Sequence, residues 1–296
     1  MRKSFHEASA RERLLGIVDA GTFREFLPPA ARVSSPHLAL LDQPVSFDDG
    51  VVVGAADLDG HPVLIAAQEG RFLGGAIGEV HGAKLLGLIE RARVLQPAPA
   101  AVVFLFDSGG VRLHEANAGL LAVSELIRAV LRARIEGIRF IGLIGGSSGC
   151  FGGTGLLARC CDSLVMSEEG RLAMSGPEVI ETVRGVEEFD SRDRALVWRV
   201  TGGKHRYLQG EIDRFVADDT GAFRAAAISL LDKPAGLTLE SVTAEHTELR
   251  RRATRFADCV DAPEIWRRLG VLHPERVALL GADDFVRMAD ACESAP

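Results

Sequence analysis

The chain has 296 residues, 47% of them hydrophobic, with 34 basic and 41 acidic side chains and a net charge of −7. That length and composition allow one large α/β domain or two small ones. The acid excess excludes an overall nucleic-acid-binding face, though not a local basic pocket for phosphates. Five cysteines, odd in number and without a C-x-x-C pair, exclude a zinc ribbon and a disulfide framework and fit a reduced, cytoplasmic setting.

The N-terminal stretch is charged and no apolar segment follows it, so no secretory leader is expected. No run reaches the roughly 18 apolar residues of a membrane span. Residues 9–19 read as a short amphipathic helix, with Ser9 and Glu12 forming a capping-box pair. Leu27 to Pro44 carries prolines and reads as irregular. Strands follow at 51–58 and 62–67, separated by Asp59-Gly60, a two-residue hairpin signal. A glycine-rich loop at 71–78 precedes a helix with Leu85, Leu88, Ile89 and Ala92 at helical spacing.

From residue 101 the order alternates. The apolar runs 101–106 and 138–144 read as strands buried on both faces. A helix near 116–136 lies between them, with Leu120, Ser124, Ile127 and Leu131 along one face. A helix beginning near Gly152, a strand at 162–167, an extended piece at 171–174 and a helix at 176–184 with Pro177 in its first turn complete the pattern. This β-α-β-α rhythm implies parallel strands and right-handed crossovers. Residues 189–232 mix short helices with one strand at 214–216. Beyond Pro234 the chain reads as charged helix, so a main domain over 1–235 and a helical C-terminal extension over 236–296 are expected.

Two glycine pairs, Gly109-Gly110 and Gly152-Gly153, each sit where a buried strand gives way to a helix. Backbone without Cβ atoms at such a turn can present bare N–H groups and a helix dipole to an anion. Parallel strands bring their C-terminal ends to one edge, where α/β ligand sites form. The two turns therefore predict main-chain stabilisation of an oxyanion, such as a thioester enolate, with Gly109, Gly110, Gly152 and Gly153 as donors. Gly74-Gly75 is a third pair, flanked by Arg71, His81 and Lys84. It reads either as a connector or as a surface against a substrate arm, with the cations either meeting phosphates or, for Arg71 and Lys84, standing as solvated surface charges. His114 and Glu115 complement a helix start or orient a proton near the site.

Other patterns compete. Cys150 precedes the second pair and could be a nucleophile, but no histidine is fixed beside it. Gly145-Gly146-Ser147-Ser148-Gly149 fits the G-x-S-x-G elbow of a serine hydrolase, for which His205, His246 or His273 would be needed as partner. Gly153-Thr154-Gly155-Leu156-Leu157-Ala158 fits a dinucleotide fingerprint, but lies too far beyond its strand.

At these same residues the chain resembles the carboxyltransferases of the crotonase superfamily. Phe72-Leu73-Gly74-Gly75-Ala76-Ile77-Gly78 continues through His81 to Lys84 and is similar to the family's F-x-G-G-S-x-G stretch, with Ala76 in place of Ser. Ser108-Gly109-Gly110-Val111-Arg112-Leu113-His114-Glu115 resembles S-G-G-A-R-x-Q-E, with Val111 for Ala and His114 for Gln. Gly152-Gly153 and Met174-Ser175-Gly176-Pro177 follow in the family's order, so the likeness spans about residues 50–220. Within the family the chain is most similar to the β subunits of biotin-independent malonate decarboxylases. The carboxyltransferase β subunits of biotin-dependent acyl-CoA carboxylases are the alternative, but they usually carry a four-cysteine zinc ribbon, and this chain has no cysteine before Cys150.

The resemblance implies a crotonase-like (ClpP/crotonase) spiral of ββα units within the α/β class. It implies a lyase that takes malonyl-thioester on an acyl carrier protein to acetyl-thioester and CO₂. No covalently bound cofactor or metal is implied, only the CoA-like, phosphopantetheine-type arm of the carrier. Arg71, Gly74, Gly75, Val111, Arg112, His114 and Cys150 become expected substrate-binding residues. A γ subunit of the same fold, the acyl carrier protein and an acyltransferase subunit become expected partners, with the site at the subunit interface. A scaffold that only docks the carrier and the partner is the non-enzymatic alternative.

Overall fold

The computed structural model describes residues 3–42 and 49–293. Nine strands are found among them: β1 (Arg24–Phe26), β2 (Val51–Leu58), β3 (His61–Gln68), β4 (Ala101–Phe106), β5 (Phe140–Ile144), β6 (Cys150–Phe151), β7 (Ser163–Met166), β8 (Leu172–Ala173) and β9 (Arg214–Phe215). Seven of them form one sheet in the order β1-β2-β3-β4-β5-β7-β9. The first three are antiparallel and the rest join in parallel. The Asp59-Gly60 hairpin forms as expected, with φ of 53° and 75°, the left-handed pair that suits the twist of the flanking strands.

β4 and β5 are buried along their whole length, because helices cover both faces of the parallel part. On one face the helices Glu79–Val94 and Ala118–Ile135 pack on Phe104, Phe106 and Phe140. On the other, the helices Ala10–Ile17 and Thr220–Ser229 pack on Val103, Leu105 and Ile141. The Ser9–Glu12 capping box is present in both directions. The stretch from Leu27 holds a short 3₁₀ turn, Pro29–Ala31, and a helix, Pro36–Leu40; residues 43 and 44 lie outside the described residues.

One expectation is corrected. The face of the 118–135 helix that turns inward is Gly119, Val123, Leu126, Ala129, Val130 and Ala133, whereas Leu120 is 50% exposed. Close helix packing decides this. A Cβ on Gly82 would lie 2.4 Å from the Ala122 Cβ, so the two helices meet closely at that pair, and the adjoining Gly119, Val123, Leu126 and Val130 turn onto the core.

A second, smaller ladder crosses the ends of the parallel strands. Ile77 bridges Val111, Ser108 bridges Cys150, and β6 pairs with β8, all in parallel. The C-terminal segment docks on the same core as the sheet. Phe285 is fully buried, edge-on to Phe215 at 4.8 Å and to Tyr207 at 5.8 Å. The buried Lys204 ammonium donates to the carbonyls of Val277 and Leu280 and pairs with Glu168 at 2.9 Å. The helix Leu239–Arg255, by contrast, has no buried residue.

Phe285→Ala is expected to lose about 3–5 kcal/mol of stability, read as a lower midpoint in urea unfolding.

Candidate active site

The three glycine pairs meet in space. A Cβ on Gly152 would lie 3.6 Å from the Gly110 Cα, and one on Gly110 would lie 3.2 Å from the Phe151 carbonyl oxygen. The Gly109 amide donates to the Gly74 carbonyl at 2.8 Å, and the Gly110 carbonyl accepts from Ile77 at 2.9 Å. Three loops that are remote in sequence thus form one patch at the C-terminal edge of the parallel strands.

Each glycine has its own reason. A Cβ on Gly75 would sit 1.8 Å from the Asp107 carbonyl oxygen, and one on Gly153 would sit 2.8 Å from Val123 Cγ1. Gly74, Gly110 and Gly152 have φ of 65°, 124° and 56°, a region that favours glycine. Gly109 differs from all of these. Its φ is not positive, it is exposed, and the nearest atom to a Cβ there would be 3.6 Å away. Neither backbone strain nor packing within the chain requires glycine at that position.

The amides divide into two groups. Gly109 donates to Gly74, Gly152 donates to the Met174 carbonyl at 3.0 Å, and Gly110 donates to the Ser108 hydroxyl at 3.1 Å. Gly153 stands second in the helix Gly152–Arg159, so its N–H has no acceptor within that helix. The helix dipole adds positive potential at the same point. Gly153 is partly exposed, and its N–H is the one of the second pair that its own helix leaves unused.

A buried charged layer holds the loops from below. Asp107 and Arg13, each 1% exposed, form an ion pair at 2.5 Å. The Asp107 carboxylate also accepts from the amides of Gly70 and Ser148, at 3.2 and 2.6 Å. One side chain thereby ties the first turn to the loops leading into the other two. Beside it, His81 is fully buried. Its Nδ1 faces the Asp49 carbonyl at 3.1 Å, so Nδ1 carries the proton and Nε2 accepts from the Gln68 amide nitrogen at 3.2 Å. The Gln68 side-chain oxygen in turn accepts from the Asp107 amide. Burial, with the charges of Arg112 and Lys84, drives the His81 pKa down to about 3, so the ring is neutral near pH 7.

The other predicted residues separate. Val111 flanks the patch, 3.2 Å from where a Gly153 Cβ would lie. Arg112 is buried, paired with Glu115 at 3.0 Å and donating to the Asp49 and Ala76 carbonyls, with its guanidinium over the Phe72 ring. It braces the loop from inside. Glu115 accepts the amide of Glu79, the first residue of the 79–94 helix, at 2.5 Å and so complements a helix start. Arg71 is exposed and donates to the Glu7 carbonyl. His114 is exposed on the turn Leu113–Glu115. The Cys150 side chain is fully buried in β6, and burial raises its thiol pKa well above the usual range, which removes the conditions a nucleophilic thiolate needs. His81 and Lys84 are buried rather than turned to a phosphate; Lys84 pairs with Asp49 at 3.0 Å and caps the Val51 carbonyl.

The competing patterns also find their places. Ser147 is exposed and its carbonyl accepts from Arg171. His205 is buried, accepts from the Trp266 indole and contacts Gln209, far from a hydrolase role. Gly153 to Ala158 lies inside the 152–159 helix, which starts directly after the two-residue β6 of the small ladder with no intervening loop, so the glycine-rich phosphate turn of a dinucleotide fingerprint is missing.

Residues 6–258 match the carboxyl transferase domain family. The chain belongs to that family. The malonyl-S-ACP:biotin-protein carboxyltransferase of Malonomonas rubra is 41% identical to it, over 97% of this chain and 96% of that one. The acetyl-coenzyme A carboxylase carboxyl transferase β subunit of Fusobacterium nucleatum is 32% identical over 61% of this chain. Among solved structures, a chain of a Pseudomonas malonate decarboxylase hetero-tetramer in complex with malonate superposes with a TM-score of 0.81 at 38% identity, covering 90% of this chain and 97% of that one. The crotonase-like α/β fold with a helical C-terminal region is the architecture this carboxyl transferase chain adopts.

Sequence reading missed Arg13, although it lies on the apolar stripe Ala10, Leu14, Ile17 of the first helix. A cation at such a position signals a buried partner. Asp107→Ala would leave that cation uncompensated and is expected to cost about 3–5 kcal/mol, measured by denaturant unfolding. The pH dependence has a definite sign. The folded pKa of His81 lies below its ordinary value of 6.5, so between pH 6.5 and 3 the unfolded chain binds the extra proton and stability falls as pH falls. His81→Gln should show a smaller drop in melting temperature between pH 7 and pH 4.5 than the parent chain.

Proposed function

We propose that this carboxyl transferase chain is the β subunit of a malonate decarboxylase. It would convert malonyl-thioester on an acyl carrier protein to acetyl-thioester and CO₂. The observation that carries the reading is the Pseudomonas decarboxylase chain, alike in fold and sequence over 97% of its length, together with a glycine patch matched to the chemistry. Loss of CO₂ moves the C–C bonding pair into an enolate, and the charge develops on the thioester oxygen. Gly153, at the helix start, would donate to that oxygen in a preorganised, water-poor setting. Gly110, whose N–H is held by the buried Ser108 hydroxyl, would contribute as backbone that shapes the first turn. Gly109 and Gly152 would contribute by lacking a side chain, letting the thioester approach. C2 then takes up one proton to give the acetyl group.

The malonyl group would arrive on the phosphopantetheine-type arm of the carrier. Arg71, Gly74, Val111 and His114 would be the accessible loop positions along its path, and the buried Gly75, Arg112 and Cys150 would act only by shaping the loops. A γ subunit of the same fold would close the site, with an acyltransferase subunit loading the carrier. Large apolar side chains beside the glycine loops support a partner here: Leu73, Leu113, Leu121 and Met174 are 50%, 73%, 66% and 65% exposed. Five free cysteines suit a reducing compartment, and no described helix is long and apolar enough to cross a membrane.

A second reading rests on the Malonomonas relative, whose name assigns the carboxyl group to a biotin protein. The assembled complex, given malonyl carrier protein without biotin, should release CO₂. Release that depends wholly on an added biotinyl protein would establish transfer instead. Gly109→Ala should leave the melting temperature unchanged yet lower CO₂ release about 10²-fold; full activity would remove Gly109 from the site. Ser147→Ala should leave turnover unchanged.

A further inference from the structure

The Ser108 and Thr154 side chains, both with no exposed surface, meet at 2.9 Å between their hydroxyl oxygens. Ser108 lies in the first glycine turn and Thr154 in the first turn of the 152–159 helix. Ser108 Oγ accepts the Gly110 N–H at 3.1 Å and lies 3.3 Å from the Gly110 carbonyl oxygen; Thr154 Oγ1 lies 3.5 Å from that same oxygen. Two hydroxyl protons therefore serve two acceptors. Either Ser108 donates to Thr154 and Thr154 to the Gly110 carbonyl, or Thr154 donates to Ser108 and Ser108 to the carbonyl. Each arrangement leaves Ser108 Oγ to accept the Gly110 amide.

Thr182 and Thr201, late in their helices, turn their hydroxyls back onto the carbonyl four residues earlier. Thr154 is third in its helix and has no helical carbonyl four residues before it, so its hydroxyl is left to bond across to the other turn. Buried hydroxyls this far from solvent cannot be replaced by water, so their geometry is fixed by one another.

We infer that the Ser108–Thr154 hydroxyl pair is a positioning device that sets the Gly110 peptide against the Gly153 amide, and so fixes the spacing of the two glycine turns. Thr154 adjoins Gly153 in sequence, so a shift of its hydroxyl partner moves one turn relative to the other. The kinetic consequence rests on the decarboxylase reading above; the structural one does not.

Thr154→Val keeps the shape and deletes the hydroxyl, whereas Thr154→Ser keeps the hydroxyl and deletes the methyl. In the assembled complex, Thr154→Val should lower kcat for CO₂ release about 10–100-fold with KM within about twofold, as displaced catalytic groups do. Thr154→Ser should restore kcat to near the parent value, and Ser108→Ala should reproduce the loss from the other side. On the full chain alone, hydrogen exchange of the peptide spanning Gly110 should be about 10-fold faster in Thr154→Val and unchanged in Thr154→Ser. Unchanged exchange in Thr154→Val, or equal losses in Val and Ser variants, would overturn the inference. A parent complex that releases no CO₂ would overturn the decarboxylase reading instead, and the exchange comparison would still decide the role of the hydroxyls.

Discussion

The buried pair of Arg13 and Asp107 is the constraint from which the rest of this site follows. Asp107 ends the central parallel strand and stands directly before the first glycine turn. Its carboxylate collects a guanidinium from the N-terminal helix and amides from the loops at Gly70 and Ser148. Three backbone segments with little side-chain bulk of their own are thereby held by one charge. Arg13 Nε and Nη1 have no partner among the described residues, so the cation rests on that carboxylate, on the Gln68 carbonyl at 3.4 Å and on the Phe5 ring beneath it. Such a pair adds little net stability compared with apolar packing, but it fixes geometry, because either charge alone is strongly disfavoured there.

Above this layer the chain works with the peptide group. The second ladder, from Ile77 through Val111, Ser108, Cys150 and Leu172, uses most of the available hydrogen-bonding groups to hold the loops together. The Gly153 amide, at the start of the 152–159 helix, has no acceptor within that helix. A rigid frame with few free donors suits a reaction whose charge appears at one oxygen, since fixed dipoles need no reorganisation when the charge forms. Titratable side chains are correspondingly set aside: His81 and His205 are held neutral by burial, with pKa values near 3, and Cys150 is kept as a thiol.

The strands and the glycine turns were legible because each rests on local chemistry. Asp59-Gly60 demands a left-handed hairpin, and 101–106 is too apolar for any surface. The inward face of the 118–135 helix was not legible. Leu120, Ser124, Ile127 and Leu131 have a plausible spacing, but the close approach of Gly82 to Ala122 goes with an inward stripe of Gly119, Val123, Leu126 and Val130 instead. Arg112 and Cys150 belong to the motifs yet turn inward, because a motif fixes sequence position and not the side-chain direction. His81 and Lys84, adjacent to a glycine loop, read as phosphate ligands until the fold places Asp49 against both.

The sequence alone determined that this chain would place bare backbone at the ends of parallel strands, because glycine pattern and apolar runs are local properties. It also carried the carboxyl transferase likeness, since four motifs in fixed order are a linear signal. Tertiary structure decided which amides remain available and which are bonded within the chain. Those bonds join residues about 35–45 positions apart in sequence, such as Gly109 to Gly74 and Asp107 to Ser148. No local pattern encodes them; they exist only once the sheet has aligned its strand ends.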